Sequence, residues 1–298
     1  MICTLCPRRC GAERTEEEGR GFCGMPAGIR VARAALHMWE EPPISGTHGS
    51  GTVFFSGCTL RCAYCQNGSI SAGGYGKAIT TAHLREIFET LIAQGAHNIN
   101  LVTPTHFLPW ILPALEPKLS VPVVYNCGGY ESVETLRQLE GKVDIYLPDL
   151  KYADDALAGT LSAAPDYFPV ARLAIREMVR QVGAVRWEGE KVTRGVIIRH
   201  LILPGNVENS LRVLDWIGEN FAPGEVLVSL MRQYTPMGGL PAPFDRRVTD
   251  EEYDAVLSWM YLNELEGFTQ EAEAAATLKK KIPLPLKVFA ILCIVAGV

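Results

Sequence analysis

Gly57-Cys58-Thr59-Leu60-Arg61-Cys62-Ala63-Tyr64-Cys65-Gln66-Asn67 follows directly on the run Thr52-Val53-Phe54-Phe55-Ser56. The residues Thr52 to Phe55 are β-branched or aromatic, and Gly51 and Gly57 punctuate them. They read as a short buried strand, which places the cysteines on the loop leaving its end. The cysteine spacing is C-x3-C-x2-C, with an aromatic just before the third. Thiolates on one short loop can bind a metal centre without help from distant parts of the chain. Such ligands suit iron–sulfur clusters and zinc. A four-iron cluster has four corners, so three cysteines leave one iron open to a further ligand. The plain alternatives are a zinc knuckle or buried apolar cysteines. Buried free cysteines are common, but three at this spacing after a strand are not.

Cys58, Cys62, Tyr64 and Cys65 resemble the signature of the radical S-adenosylmethionine (SAM) enzymes. The trailing Gln66-Asn67 resembles the branch near the pyruvate formate-lyase activating enzyme. This resemblance implies a [4Fe–4S] cluster on Cys58, Cys62 and Cys65 whose open iron is chelated by the amino and carboxylate groups of SAM. It implies an external electron donor such as flavodoxin or ferredoxin, and reductive cleavage of SAM to a 5′-deoxyadenosyl radical. That radical abstracts hydrogen from a substrate: a glycyl position on a protein, another peptide, or a small molecule. The competing reading is a non-catalytic iron–sulfur or zinc protein, an electron carrier or interaction module. A carrier needs neither a barrel nor an open iron.

The chain has 298 residues and a formal net charge of −5. That length fits one large domain, or one with a small appendage. The mild acidity argues against a nucleic-acid groove, which calls for a basic patch. Nothing in Met1-Ile2-Cys3 resembles a secretory signal, so the nine cysteines read as metal ligands in a reducing cytoplasm rather than as disulfides.

Cys3, Cys6, Cys10 and Cys23 form a second cluster on a loop-rich segment. Four soft ligands suggest a closed tetrahedral site for zinc or for a second iron–sulfur cluster. Activating enzymes with extra clusters usually carry them after the SAM loop, whereas here they come before it. Residues 1–50 then form a cysteine-rich, metal-binding extension and connector, with a strand near Ile29 to Leu36, and residues 51–267 the barrel. Residues 268–298 are an atypical apolar tail with Lys279-Lys280-Lys281 and Cys293, read as disordered. A membrane helix needs about twenty apolar residues, and this run is shorter and holds Pro283, Pro285 and Lys287, so a shifted reading frame or disorder is favoured over a weak tail anchor.

From the cysteine loop onward strands and helices alternate. Leu84, Ile87, Phe88, Leu91 and Ile92 fall on one helical face. Strands follow near Asn98, Val121, Val143, Gly195 and Val226, and the last helix runs from Thr249 to about Gly267. Counted from Val53 this gives six strand–helix units, which call for parallel strands with right-handed crossovers. The expected fold is therefore α/β, a partial (β/α)6 TIM-type barrel, and the resemblance implies the same.

In parallel barrels chemistry collects at the C-terminal strand ends. After the second strand stand Thr103, Pro104, Thr105 and His106. The wider family often carries Gly-Gly-Glu there to hold the SAM ammonium; here the resemblance leaves Thr103, Thr105 or backbone carbonyls. Asn126-Cys127-Gly128-Gly129 ends the third strand, where activating enzymes carry a polar–glycine motif against SAM. Asp149-Leu150-Lys151 ends the fourth and matches the Asp-x-Lys that resemblance assigns to SAM binding. Arg199 and His200 are further SAM candidates, although a histidine within an apolar run is more often a satisfied core group. Arg232 and Tyr234 are candidate substrate contacts, Cys127 reads as packing, and His83 and His97 as surface.

Overall fold

The computed structural model describes residues 2–270 and 289–291. Its frame is one sheet of β1 (Ile29–His37), β2 (Ser50–Phe55), β3 (Lys77–Ile79), β4 (Ile99–Val102), β5 (Val123–Cys127), β6 (Ile145–Pro148), β7 (Arg186–Glu188), β8 (Lys191–Leu201), β9 (Leu227–Met231), β10 (Gly267–Gln270) and β11 (Phe289–Ile291). The order is β11-β10-β9-β8-β6-β5-β4-β2-β1-β3, with β7 flanking β8. Every pair from β2 to β11 on that path is parallel. β1 is antiparallel to both β2 and β3. Among the described residues no pairing joins β11 to β3, so the sheet is an open partial barrel.

The six parallel strands β2, β4, β5, β6, β8 and β9 are those expected from the alternation. The sheet extends past them on both sides. The last helix ends at Leu262, a few residues earlier than expected, and Gly267 opens β10 beside β9, where the apolar tail had been expected to begin. The short edge strand β3 and the hairpin strand β7 were not marked by any pattern. Three residues give too little periodicity to separate a strand from a turn. The tail expected to be disordered from residue 268 is therefore corrected at its start, where Phe268, Thr269 and Gln270 belong to β10; apart from these and β11, the tail with Cys293 lies outside the described residues. No described helix is long and apolar enough to cross a membrane.

Local chemistry sets the helix ends. In Thr81–Ala93 the buried stripe is Leu84, Phe88 and Leu91, and the Thr80 side chain caps it by accepting from the His83 amide. Asp250–Leu262 starts with a capping box between Thr249 and Glu252. The proline-rich stretch after β4 does not sustain a helix and breaks into short turns over Thr105 to Leu115.

Strand register decides what faces the barrel interior. Successive side chains point to opposite faces of a sheet. Val124 pairs with Ile145, Ile145 with Gly195, and Ile197 with Leu227. These rows form one apolar layer, closed at the N-terminal end of the strands by Ile44 on the short helix Pro42–Ser45. Asn126 and Arg199 lie two positions on from Val124 and Ile197, and Asp149 four on from Ile145, so all three share the inner face of that layer. His200 follows Arg199 and therefore points the other way. It is fully buried among the outer elements, its ring nitrogens 2.7 Å from the Leu150 carbonyl and 2.8 Å from Ser210 Oγ. The expectation that Arg199 and His200 both serve SAM is thus corrected by alternation: one strand cannot turn both inward.

Truncating Ile44→Ala should cost about 2–5 kcal/mol of unfolding free energy, because the apolar layer above it cannot collapse into the space; an unchanged urea midpoint would contradict this. Burial pushes His200 down to about 4, against the opposing pull of the Leu150 carbonyl. The unfolded ring protonates near 6.5 and the folded ring does not, so stability should fall as pH drops from about 6.5 towards 4. His200→Gln should make that fall shallower in denaturation curves measured across this window.

Candidate active site

The cysteine loop leaves β2 through Gly57, whose φ of +79° is left-handed. A Cβ there would sit 2.3 Å from the Met25 side chain, so the turn needs glycine. Cys58, Cys62 and Cys65 are half-buried free thiols, close enough for charge on the latter two to act on Cys58. Each sulfur accepts hydrogen bonds: Cys58 from the Leu60 amide at 3.3 Å and from the Arg61 amide, Cys62 from Ser162 Oγ at 3.0 Å, and Cys65 from Ser71 Oγ at 3.3 Å. Such donors favour thiolate. Burial first, and then charge on Cys62 and Cys65, pushes Cys58 up to about 12, a cost that a bound cation reverses. Tyr64 is buried against Tyr234, and the Tyr152 hydroxyl donates to its hydroxyl at 2.9 Å.

Across from the loop lies a buried charge network. Arg199 Nε donates to Asp149 Oδ1 at 2.8 Å, and Lys151 Nζ donates to Asp149 Oδ2. A second arm of Arg199 donates to Asn126 Oδ1 at 2.7 Å, and a third lies 3.8 Å from Glu40 Oε2. Burial works against the charge on Asp149, but Arg199 and Lys151 outweigh it and hold the carboxyl below its ordinary range. Lys151 is raised in turn, with Asp149 and then Cys62 outweighing its burial. Its ammonium is bonded to the carboxylate and feels the charge of the cysteine loop. Glu40 is pushed up to about 7 by burial and by its neighbour Glu41.

The loop and the network share a cavity of ≈ 250 Å³ at the C-terminal ends of the strands. Of the predicted SAM contacts, Thr103, Asn126, Asp149, Lys151 and Arg199 line it together with Cys58, Cys62 and Cys65. Thr103 holds a left-handed φ of +57°, uncommon for a β-branched residue. Thr105 is not in the wall: it is fully buried and donates to Glu131 Oε1 at 3.0 Å, so, like His200, it is not brought to the cavity. Cys127, read as packing, is buried yet forms part of the wall, as does Tyr234. Arg232 instead pairs with Asp250 and lies over the Tyr253 ring.

Sequence reasoning missed Glu40, Leu60 and Gln233. Glu40 reaches the network from a turn before β2, and no motif marks it. Leu60 and Gln233 did sit next to residues already singled out. Among the described residues no three Cys, His, Asp or Glu side chains converge as a single metal ion requires. A cubane sets its thiolates further apart than one ion does. Three sulfurs that each hold a donor, beside a roomy cavity with a paired ammonium and carboxylate, fit a cluster plus a zwitterionic ligand.

Residues 52–217 match the Radical SAM superfamily. An uncharacterized protein of Methanocaldococcus jannaschii is 30% identical over 270 residues, 86% of this chain and 73% of the relative. Methylornithine synthase is similar in structure at 17% identity with a TM-score of 0.48, over 72% of this chain and 62% of that one. A maturase of the [FeFe]-hydrogenase gives 16% identity and a TM-score of 0.48, over 73% of this chain and 50% of that one. A domain of pyruvate-formate lyase-activating enzyme from Bacteroides vulgatus gives 13% identity and a TM-score of 0.36, over 63% of this chain and 90% of that one. This chain thus spans less than two thirds of the synthase and of the maturase. The family match, over more than half of the chain, shows that it belongs to the radical SAM superfamily, enzymes that use a [4Fe–4S] cluster and SAM for radical chemistry.

Proposed function

We propose that Cys58, Cys62 and Cys65 hold the [4Fe–4S] cluster and that the cavity beside them holds SAM for hydrogen abstraction from a peptide or small-molecule substrate. The observation that carries this is the shared cavity, in which the cysteine loop faces the Asp149–Lys151–Arg199 network. When bound, the cluster and SAM supply reductive cleavage of the sulfonium carbon–sulfur bond, giving methionine and a 5′-deoxyadenosyl radical. The chain's own residues bind, orient and exclude water.

Lys151 has three ammonium donors and commits one to Asp149, leaving two for the carboxylate of SAM. Asp149 keeps Lys151 charged and oriented, and Arg199 keeps Asp149 charged. Asn126 Oδ1 is occupied by Arg199, so Asn126 positions the guanidinium at the cavity wall. The Thr103 carbonyl and hydroxyl, at the end of β4, are the acceptors left for the SAM ammonium in a chain without Gly-Gly-Glu. Tyr64, Leu60 and Cys127 give the wall its apolar part and limit water.

Kinship with the activating enzymes is the finer reading, with a glycyl position of a partner protein as hydrogen donor. Gln66-Asn67 and Asp149-Leu150-Lys151 support it. The electron comes from an external one-electron carrier such as flavodoxin or ferredoxin.

Anaerobically reconstituted protein reduced with dithionite in the presence of SAM should release 5′-deoxyadenosine, and Cys58→Ala should abolish the release; reconstituted wild type giving none would sink the proposal. Lys151→Met should leave the fold intact, because Arg199 still pairs Asp149, while weakening SAM binding by about 10- to 100-fold in a titration. An unchanged dissociation constant would remove Lys151 from the SAM site.

A further inference from the structure

The N-terminal hairpin carries a second set of sulfurs. The Cys3 amide donates to the Ala12 carbonyl at 3.0 Å, and the Arg9 amide donates to the Cys6 carbonyl at 3.0 Å in a tight turn with Arg9 at a φ of +40°. The Gly24 amide closes a like turn on Gly21 at 2.9 Å. These turns gather four free cysteines: charge on Cys3 and Cys23 acts on Cys6, and charge on Cys3 and Cys10 acts on Cys23. The amides of Arg8 and Met25, each two residues on, donate to the sulfurs of Cys6 and Cys23. Arg14, 2% exposed, places one guanidinium nitrogen 3.8 Å from Cys3 Sγ. Burial raises the Cys6 and Cys23 thiols, and the backbone donors, with Arg14 at Cys23, pull the other way, as a bound cation would.

This hairpin is fastened to the cysteine loop. Arg8, between Cys6 and Cys10, donates to the carbonyls of Thr59 at 2.9 Å and Ser162 at 2.6 Å, and also to that of Ala163. Ser162 is the residue whose hydroxyl donates to Cys62 Sγ. The Arg8 guanidinium lies 3.8 Å from the Phe22 ring centroid, and Arg61 of the loop donates to the Phe22 carbonyl at 3.1 Å. The Cys23 carbonyl packs against Gly57, next to Cys58; a Cβ on Gly57 would lie 3.0 Å from it. The far side is open, since Cys10 is exposed while Cys3 and Cys6 are buried. As with the loop trio, no three of these sulfurs converge on a point as ligands of a single ion do.

We propose that Cys3, Cys6, Cys10 and Cys23 ligate a second [4Fe–4S] cluster that accepts one electron at its exposed Cys10 side and passes it to the cluster of Cys58, Cys62 and Cys65. This rests on the reading of that trio given above. The donor, a low-potential one-electron protein carrier, is oxidised by one electron. Each cluster is reduced and reoxidised in turn, and no bond forms or breaks in the transfer. Ligation by all four cysteines leaves no open iron, so this cluster carries electrons and does not bind SAM. Arg8 and Arg14 act as positioning residues: one holds the two sites in contact, the other offsets thiolate charge.

The test uses the full chain, reconstituted anaerobically with iron and sulfide. Metal analysis should find about eight irons per chain and no zinc, and the reduced protein should show two EPR signals, of which SAM shifts one. With reduced flavodoxin as the probe, freeze-quenched samples should show the SAM-insensitive signal first. Cys10→Ser, at an exposed position whose folding circular dichroism can check, should slow the rise of the SAM-sensitive signal at least about tenfold with flavodoxin, with reduction by dithionite as the control. About four irons with bound zinc would overturn the proposal alone, as would two signals rising together or an unchanged rate in Cys10→Ser. A protein with no SAM-sensitive signal and no 5′-deoxyadenosine would overturn the cavity reading and this proposal with it.

Discussion

The carboxylate of Asp149 is the constraint on which the site depends. It is buried between the guanidinium of Arg199 and the ammonium of Lys151. Removing one member of a buried pair costs roughly 3–5 kcal/mol, because the other is left as an uncompensated charge. Here two cations share one anion, so the three form a unit. Through Asn126 the unit spans the ends of β5, β6 and β8, and through Glu40 it reaches the turn beneath the barrel. The backbone is shaped to fit. A Cβ on Gly129 would lie 2.0 Å from the Asp149 carbonyl, so only glycine allows the β5 loop to pass so close. The Tyr167 hydroxyl lies 2.9 and 2.8 Å from the carbonyls of Gly128 and Asp149, and accepts from the Lys151 amide at 3.0 Å.

The polarity of the sheet turns this unit into a site. Parallel strands bring all their C-terminal ends to one side, where β2 releases the cysteine loop and Thr103, Asn126, Asp149 and Arg199 stand at or beside the ends of β4, β5, β6 and β8. The opposite side is filled by Ile44 and the apolar layer above it. The cavity therefore opens on one side, between a loop of sulfurs and a wall of paired charge. The N-terminal hairpin packs on the same side, bonded through Arg8 to the backbone of the cysteine loop.

Much of this was legible in the residues. The C-x3-C-x2-C spacing after an apolar run marked the loop, and the six parallel strands followed from short apolar runs alternating with helical faces such as Leu84, Phe88 and Leu91. Asp149, Lys151, Asn126, Arg199 and Thr103 could be named because strand-end positions can be counted. Thr105 and His200 misled because strand-end position alone does not say which face a side chain takes. The alternation rule, applied to Arg199 and His200 together, would have excluded one of them. Glu40 was hidden for a different reason: its role comes from tertiary contact with Arg199, across a gap in sequence that no local pattern spans. β10 was hidden because four residues beyond a helix end carry too little signal.

The central claim is that the loop of three cysteines leaves one iron to SAM. The most direct measurement is electron–nuclear double resonance on the reduced cluster with SAM isotopically labelled at its amino nitrogen and carboxylate oxygens. The account predicts hyperfine coupling from both labels to the cluster, lost in Cys62→Ala. A reduced cluster with no coupling to either label, in protein saturated with SAM, would contradict it.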